Sequence, residues 1–190
     1  MNTVSQIIEM VKSGGVAIFP TDTAFAIGCR VDNENAVKRL FSIKQRSEQQ
    51  AVPILVDSIA MARKYGEISE KVQNILNKFW PGALTVIVEA NESKISPLVL
   101  GMGNTVGLRQ PKSDIALQII SKVGVPLVGT SANFHGRQTP YKTEDLDPEL
   151  IKLVDSVVPG ICPVGLASTI VDTTKDPWQI VRQGVVKVEL

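Results

Sequence analysis

Apolar residues recur along the chain in two alternating patterns, one spaced for helices and one for strands. Thr3 and Gln6 form a possible capping box ahead of a run with helical spacing, which predicts a first helix. Gly14 and Gly15 end that helix, and the apolar run Val16 to Phe19 behind them predicts a buried strand. The order of helix then strand is repeated further along the chain.

The same two spacings predict the remaining elements. Helices are expected at roughly Glu34 to Gln45, after Ser69, over Ser113 to Val123 and after Asp147-Pro148. Extended segments are expected at Pro53 to Val56, Leu84 to Val88, Thr105 to Arg109, Pro126 to Gly129, Ser168 to Asp172, Gln179 to Val181 and Val185 to Val188. This alternation predicts an α/β fold with a mixed sheet flanked by helices. We expect residues 1–190 to form a single domain.

The composition excludes several classes of protein. The chain is 44% hydrophobic and 21% charged, and 20 Lys and Arg residues against 19 Asp and Glu give a net charge of +1. This balance excludes a strongly basic nucleic-acid coat. Two cysteines, Cys29 and Cys162, are too few for a disulfide-stapled secreted scaffold, so we expect a cytoplasmic protein. No segment reads as a signal peptide or as the ~20 apolar residues of a membrane span, so no membrane association is expected.

Standard catalytic motifs are missing from the sequence. His135 is the only histidine, so a His-rich metal cage cannot be built and no residue is assigned as a metal ligand. Because His135 lies in a polar loop, we expect a solvated surface histidine rather than a catalytic base. A phosphate-binding loop of the Gly-x-x-x-x-Gly-Lys-Ser/Thr type is also missing.

Polar side chains follow four predicted strands at the point where each strand ends. They are Thr21 to Thr23, Arg109, Thr130 to Asn133, and Arg182. In open α/β sheets, ligands bind in the crevice beyond the strand ends, and hydroxyl, amide and guanidinium groups suit anionic or nucleotide ligands. The alternative is that these are ordinary turn residues.

Lys44 lies on the apolar face of its predicted helix, four residues after Leu40 and seven after Val37. Two interpretations remain open. The lysine either extends its charge to solvent from the helix end, or it points into a crevice with Arg46 to bind phosphate or carboxylate. With Arg109 and Arg182, the second interpretation gives four cations for one anionic ligand.

Seven motifs together resemble those of the YrdC/TsaC family, in the same order and over nearly the whole chain. They are Phe19-Pro20-Thr21-Asp22-Thr23, Lys44-x-Arg46, Phe79 to Thr85, Val106-Gly107-Leu108-Arg109, Pro126 to Asn133, Ser168 to Asp172, and Val181-Arg182-Gln183-Gly184. The resemblance is to the short, single-domain form. It implies a YrdC-like twisted mixed sheet flanked by helices, with a concave, positively lined cavity.

The resemblance also implies an activity, threonylcarbamoyl-AMP synthase. In that reaction L-threonine, bicarbonate and ATP, with Mg²⁺, yield threonylcarbamoyl-AMP and pyrophosphate. Downstream transferase proteins then carry the threonylcarbamoyl group to the adenosine beside the anticodon of tRNA, and weak binding of tRNA or other RNA is possible. Both the threonine carbamate and the triphosphate are anionic, so a set of cations fits this chemistry.

The family motifs assign roles to individual residues. Thr23 and Arg109 are expected to hold threonine. Contacts to ATP are expected from Lys44, Arg46, Thr105, Ser131, Asn133, Thr139, Ser168 and Arg182, with Lys44 and Arg46 also catalytic. The chain departs from the family pattern after Thr23, where Ala24-Phe25-Ala26 replaces the usual Val-Tyr-Gly. That departure affects the lining of the expected pocket.

Two other functions remain as alternatives. An RNA-binding module of the same fold without catalysis would show steep salt dependence, although few aromatic residues are available for stacking. The second is the carbamoyl-transfer domain found within larger hydrogenase-maturation proteins, whose other domains would not fit in 190 residues.

Overall fold

Polar residues at the helix ends determine where the helices begin. The structure is a computed structural model and describes residues 3–189. The Thr3 side chain accepts a hydrogen bond from the Gln6 backbone N–H, which confirms the predicted capping box. Side chains cap further helices in the same way, at Asn33, Ser58, Ser69, Ser113 and Asp147.

The helices match the predicted ones closely, and two short helices are added. The α-helices are α1 (Val4–Lys12), α2 (Glu34–Lys44), α3 (Ile59–Ala62), α4 (Glu70–Phe79), α5 (Pro97–Leu100), α6 (Asp114–Val123) and α7 (Pro148–Leu153). Single 3₁₀ turns lie at Glu92–Lys94 and Thr143–Asp145.

The strands form two sheets. They are β1 (Ala17–Pro20), β2 (Phe25–Gly28), β3 (Ile54–Leu55), β4 (Leu84–Glu89), β5 (Thr105–Arg109), β6 (Leu127–Val128), β7 (Thr130–Ser131), β8 (Ser156–Val157), β9 (Thr169–Asp172) and β10 (Gln179–Arg182). One sheet has the order β7-β2-β1-β8 and the other the order β10-β9-β4-β5-β3-β6. Each contains both parallel and antiparallel pairs, for example β1 with β8 and β1 with β2. The predicted mixed α/β fold is therefore confirmed, with its strands divided between two sheets.

Some local predictions differ from the structure. The extended segment expected at Val185 to Val188 is not a strand. Strand β2 is not predicted by the sequence pattern, because all four of its residues are buried and it lacks the alternation of a half-exposed strand.

Strand β1 is covered on both faces, which explains its uninterrupted apolar sequence. Ala17 and Phe19 belong to the hydrophobic cluster that contains the buried residues of α1 and α6. Ile18 belongs to the larger cluster, which includes residues of both sheets. The residues after β1 are thereby fixed at the junction of two packed layers. Within residues 3–189, no helix has the length and apolar character needed to cross a bilayer.

Candidate functional site

A cavity of about 290 Å³ lies where residues of both sheets meet. Three arginines reach it from separate parts of the chain: Arg46 follows α2, Arg109 ends β5 and Arg182 ends β10. The hydroxyl groups in its lining come from Thr21, Thr23, Thr85, Thr130, Ser131, Thr139 and Ser168. The lining therefore combines three cationic side chains with several hydroxyl groups.

Arg109 is a buried residue of the cavity lining and is held by three protein groups. Its Nε donates to the carbonyl of Gly82 at 3.1 Å, and its Nη1 donates to Thr23 Oγ1 at 2.7 Å. Its Nη2 donates to the carboxylate of Asp22 in a buried ion pair. Burial lowers the pKa of Arg109, and the nearby Asp22 carboxylate opposes that shift. A guanidinium carries five N–H donors, so two remain for a ligand after these three bonds.

The Thr21 hydroxyl forms several hydrogen bonds within the turn between β1 and β2. Thr21 Oγ1 donates to the Ala24 carbonyl at 2.7 Å and lies 3.2 Å from Thr23 Oγ1. Thr21 Oγ1 also accepts from the backbone N–H groups of Thr23 and Ala24, both at 3.2 Å. Thr23 Oγ1 accepts from Arg109, which leaves this oxygen with one acceptor lone pair.

Arg46 and Arg182 are also held in place by protein acceptors. Arg46 donates to the carbonyls of Gln50 and Ala51, at 3.3 and 2.9 Å. Arg182 donates to the carbonyl and the hydroxyl of Ser168, at 3.0 and 3.1 Å. Burial lowers the pKa of both arginines, which stay charged because an arginine pKa begins so high. The cavity thus presents oriented positive charge.

Lys44 is 2% exposed, so the interpretation in which it reaches solvent is wrong. Its Nζ donates to the carbonyls of Ser131 and Asn133, at 2.5 and 2.8 Å. Burial, and secondarily the charge of Arg46, lowers the pKa of Lys44 to about 8. Lys44 is not part of the lining and lies behind the wall formed by Ser131. Its geometry therefore does not favour the expected direct contact with ATP.

Of the expected ATP contacts in this region, Ser131 and Thr139 line the cavity, whereas Asn133 does not. The Asn133 side chain accepts a hydrogen bond from Ser131 Oγ at 2.6 Å and donates to the carbonyl of Arg137. It faces a neighbouring cavity of about 610 Å³. Asn133 thus supports Ser131 from behind.

Thr105 is not part of the cavity lining, so its geometry does not favour the expected contact with ATP. It begins β5 and lies opposite Glu89 of β4, whereas Arg109 ends the same strand at the cavity. Four residues of extended chain separate the two by ~13 Å.

The structure adds three features that the sequence assignment missed. Asp22 is the ion-pair partner of Arg109. It lies within the motif Phe19 to Thr23, but no role was assigned to it from the sequence. The Thr85 hydroxyl lies 3.0 Å from Ser168 Oγ and is 2% exposed. Leu55 packs against Gly129 in the lining, where a Cβ on residue 129 would lie 2.3 Å from Leu55 Cγ. A polar residue within a strongly apolar strand is the one signal that could have indicated Thr85.

Nucleophilic and metal chemistry find little support among the described residues. Burial raises the pKa of Cys29 to about 12 and that of Cys162 to about 11, so neither thiol is activated. His135 is exposed, as expected. Over residues 3–189, no group of three or more His, Cys, Asp or Glu side chains could hold a metal ion.

Comparisons with known proteins place the chain in a family. The family model described as telomere recombination, Sua5/YciO/YrdC, matches residues 9–184. The chain is 31% identical to the threonylcarbamoyl-AMP synthase of Bacillus subtilis over 191 residues, which covers 98% of this chain and 54% of that protein.

Two crystal structures share the fold over nearly the whole chain. Pyrococcus abyssi Sua5 complexed with L-threonine has a TM-score of 0.89 at 27% identity, covering 95% of this chain and 54% of Sua5. Escherichia coli YciO, an uncharacterized protein, also has a TM-score of 0.89 at 27% identity, covering 98% of this chain and 91% of YciO. The chain spans about half the length of the Bacillus and Pyrococcus proteins.

Proposed function

The chain belongs to the Sua5/YciO/YrdC family, and from this premise we propose that it is an L-threonylcarbamoyladenylate synthase. The proposed reaction uses L-threonine, bicarbonate and ATP and releases pyrophosphate. Relatives named threonylcarbamoyl-AMP synthase support it, as does a Sua5 structure described as complexed with L-threonine. Because those relatives are about twice as long as this chain, their activity is a proposal for this chain.

One observation carries the proposal, the pairing of Arg109 with Thr23. Arg109 offers two free N–H donors, and Thr23 offers an acceptor lone pair beside them. An amino acid is complementary to this arrangement, since its carboxylate accepts and its amino group donates. The guanidinium fork suits a carboxylate in particular. L-threonine is the amino acid that the comparisons favour.

The proposed chemistry needs no protein nucleophile. The threonine nitrogen attacks the carbon of bicarbonate, water leaves, and a carbamate remains. A carbamate oxygen then attacks the α-phosphorus of ATP, and the bond to the β-phosphate oxygen breaks to release pyrophosphate. Both reactants are anions, so the barrier is governed by charge repulsion and by charge building on the leaving group.

Arg46 and Arg182 are the cations placed to offset that charge. Both line the cavity together with Arg109, and both are already oriented by protein carbonyls. Hydroxyl donors for phosphate or ribose oxygens are available at Ser131, Thr139 and Ser168. Since fixed charges need no reorganisation during the reaction, they stabilise the transition state more than mobile ones.

Mg²⁺ is expected to arrive with ATP. The lining supplies arginines and hydroxyls and no carboxylate, so the protein groups at the cavity do not fit a resident Mg²⁺. The phosphate oxygens of ATP would hold the ion, whose charge would neutralise part of the triphosphate.

We further propose that the product serves tRNA modification in the cytoplasm. A mixed anhydride with AMP is an activated acyl donor, so a transferase that acts on the adenosine beside the tRNA anticodon would consume it. The alternative, an RNA-binding module without catalysis, fits the site less well. A cavity of about 290 Å³ that holds its arginines within the fold matches a small molecule better than a nucleic-acid strand.

The experiment is an omission series that follows pyrophosphate release. The complete mixture contains ATP, Mg²⁺, bicarbonate and L-threonine, and each is left out in turn. We expect release only in the complete mixture. Release that persists without threonine would contradict the proposal, and salt-sensitive RNA binding with no release would favour the alternative.

A further inference from the structure

Lys44 is a buried cation whose charge is balanced by the backbone of another segment. It is the last residue of α2, and the next residue, Gln45, turns the chain out of the helix with a φ of 52°. Its stem packs on the buried face of α2 together with Leu40 and Val37. A buried ammonium without acceptors would be strongly unfavourable, so the carbonyls of Ser131 and Asn133 account for its tolerance.

The contact between α2 and this segment runs in both directions. Lys44 donates from its side chain to residues 131 and 133, and its own backbone carbonyl accepts from the N–H of His135 at 3.1 Å. The Ser131 carbonyl also accepts from the Asn133 N–H at 2.9 Å, which makes a tight turn. The carbonyls of this turn point away from the cavity toward Lys44, while Ser131 contributes to the lining.

We propose that Lys44 is a positioning residue that fixes the segment 130–135 and thereby sets the place of Ser131 in the cavity. The lysine acts through this segment and not by touching the ligand. Its effect on ATP rests on the proposed function, whereas its effect on the segment does not. An apolar side chain of the same length could fill the space but could not donate to two carbonyls.

The competing role is direct contact between Lys44 and phosphate. In that case the segment 130–135 would be equally ordered without Lys44 when no ligand is present, and only phosphate binding would suffer. The two roles therefore differ in the ligand-free protein, where the identity of the reaction is irrelevant.

Backbone hydrogen exchange of the ligand-free protein tests the proposal. In Lys44→Met we expect the amides of Asn133 and His135 to exchange at least about tenfold faster than in the wild type, the loss that one charged hydrogen bond implies. Arg46→Met serves as the control, because Arg46 bonds to Gln50 and Ala51 and should leave exchange at residues 133 and 135 unchanged.

Binding of inorganic triphosphate, measured by calorimetry, separates the two roles a second time. We expect Lys44→Met to retain triphosphate affinity within about threefold, and Arg46→Met to lose at least about tenfold. Unchanged exchange in Lys44→Met, or a loss of triphosphate affinity equal to that of Arg46→Met, would overturn the proposal.

A second variant guards against failure of Lys44→Met to fold. Lys44→Gln keeps two N–H donors but removes the charge. We therefore expect the amides of residues 133 and 135 to exchange faster than in the wild type and more slowly than in Lys44→Met. If Lys44→Met does not fold, the comparison is between Lys44→Gln and the wild type alone, and faster exchange in Lys44→Gln is expected. Exchange equal to wild type in a folded Lys44→Gln, together with weakened triphosphate binding, would also overturn it. Failure of the synthase assay alone would leave these measurements unaffected and would count only against the proposed function.

Discussion

Arg109 and Asp22 form an ion pair in which both residues are nearly buried, with 7% and 5% of their surfaces exposed. They come from different sheets, since Asp22 follows β1 and Arg109 ends β5. A buried pair adds little stability relative to an apolar replacement, but removing one partner leaves the other charge uncompensated. The pair therefore fixes the orientation of Arg109 at the cavity.

Asp22→Asn should destabilise the protein by about 3–5 kcal/mol, because Arg109 would remain buried without a counter-charge. The free energy of unfolding from urea titration is the measurement. Asp32→Asn is the matched control: Asp32 pairs with Arg30 at a more exposed position, so a change below about 1 kcal/mol is expected there. Equal effects of the two substitutions would show that the buried pair has no special role.

Arg109→Lys should raise the KM for L-threonine at least about tenfold although the positive charge is kept. The planar guanidinium of Arg109 can bind a carboxylate with two hydrogen bonds while it keeps its bonds to Thr23 and Gly82. A lysine ammonium cannot make all of these bonds at once. Steady-state kinetics with varied threonine provide the measurement. Arg63→Lys is the control, since Arg63 bonds to the Ile68 carbonyl outside the cavity. An unaltered threonine dependence in Arg109→Lys would remove Arg109 from threonine binding.

Gly129→Ala should destabilise the protein by about 1–3 kcal/mol, since the added methyl would overlap the Leu55 side chain. Leu55→Ala opens that space at its own cost of about 2–5 kcal/mol. In the double variant we expect a loss smaller than the sum of the two, by at least about 0.5 kcal/mol. Gly103→Ala, with its nearest atom at 3.4 Å, is the control and should change little. Strict additivity would contradict the packing described for the cavity lining.

Wild-type stability relative to Lys44→Met should rise as the pH increases from about 8 toward the ordinary lysine value of 10.5. Burial lowers the pKa of Lys44, so in this window the unfolded chain holds a proton that the folded chain has released, and raising the pH favours folding. Below about pH 8 both states are protonated and the full cost of the buried charge is present. Urea titrations of both proteins at pH 7 to 10 measure this difference. A difference that stays constant over that range would contradict the depressed pKa.

The helices could be predicted from the sequence because their signals are local. The Thr3 capping box, the Ser69 and Ser113 caps and the Asp147-Pro148 start all lie within a few residues of the helices that they begin. The division of the strands into two sheets depends on pairings between distant segments, which no local pattern encodes.

The candidate site shows the same division between local and distant information. Thr23 and Arg109 could be assigned from family motifs, and their hydrogen bond agrees with a shared site. The Thr85 and Ser168 hydroxyls meet through the register of β4 and β9, 83 residues apart. Thr105 begins β5 and lies outside the cavity lining, because a strand brings only one of its ends to the cavity.

The proposed synthase activity is tested most directly by following carbon from labelled bicarbonate into an adenylate. The purified protein is incubated with labelled bicarbonate, L-threonine, ATP and Mg²⁺, and the products are separated and identified by mass. The account predicts one labelled threonylcarbamoyl-AMP for each pyrophosphate released, none when L-threonine is left out, and slower formation in Arg109→Lys at threonine levels near the wild-type KM. Pyrophosphate released without label in any adenylate, or a labelled adenylate that forms without threonine, would contradict it.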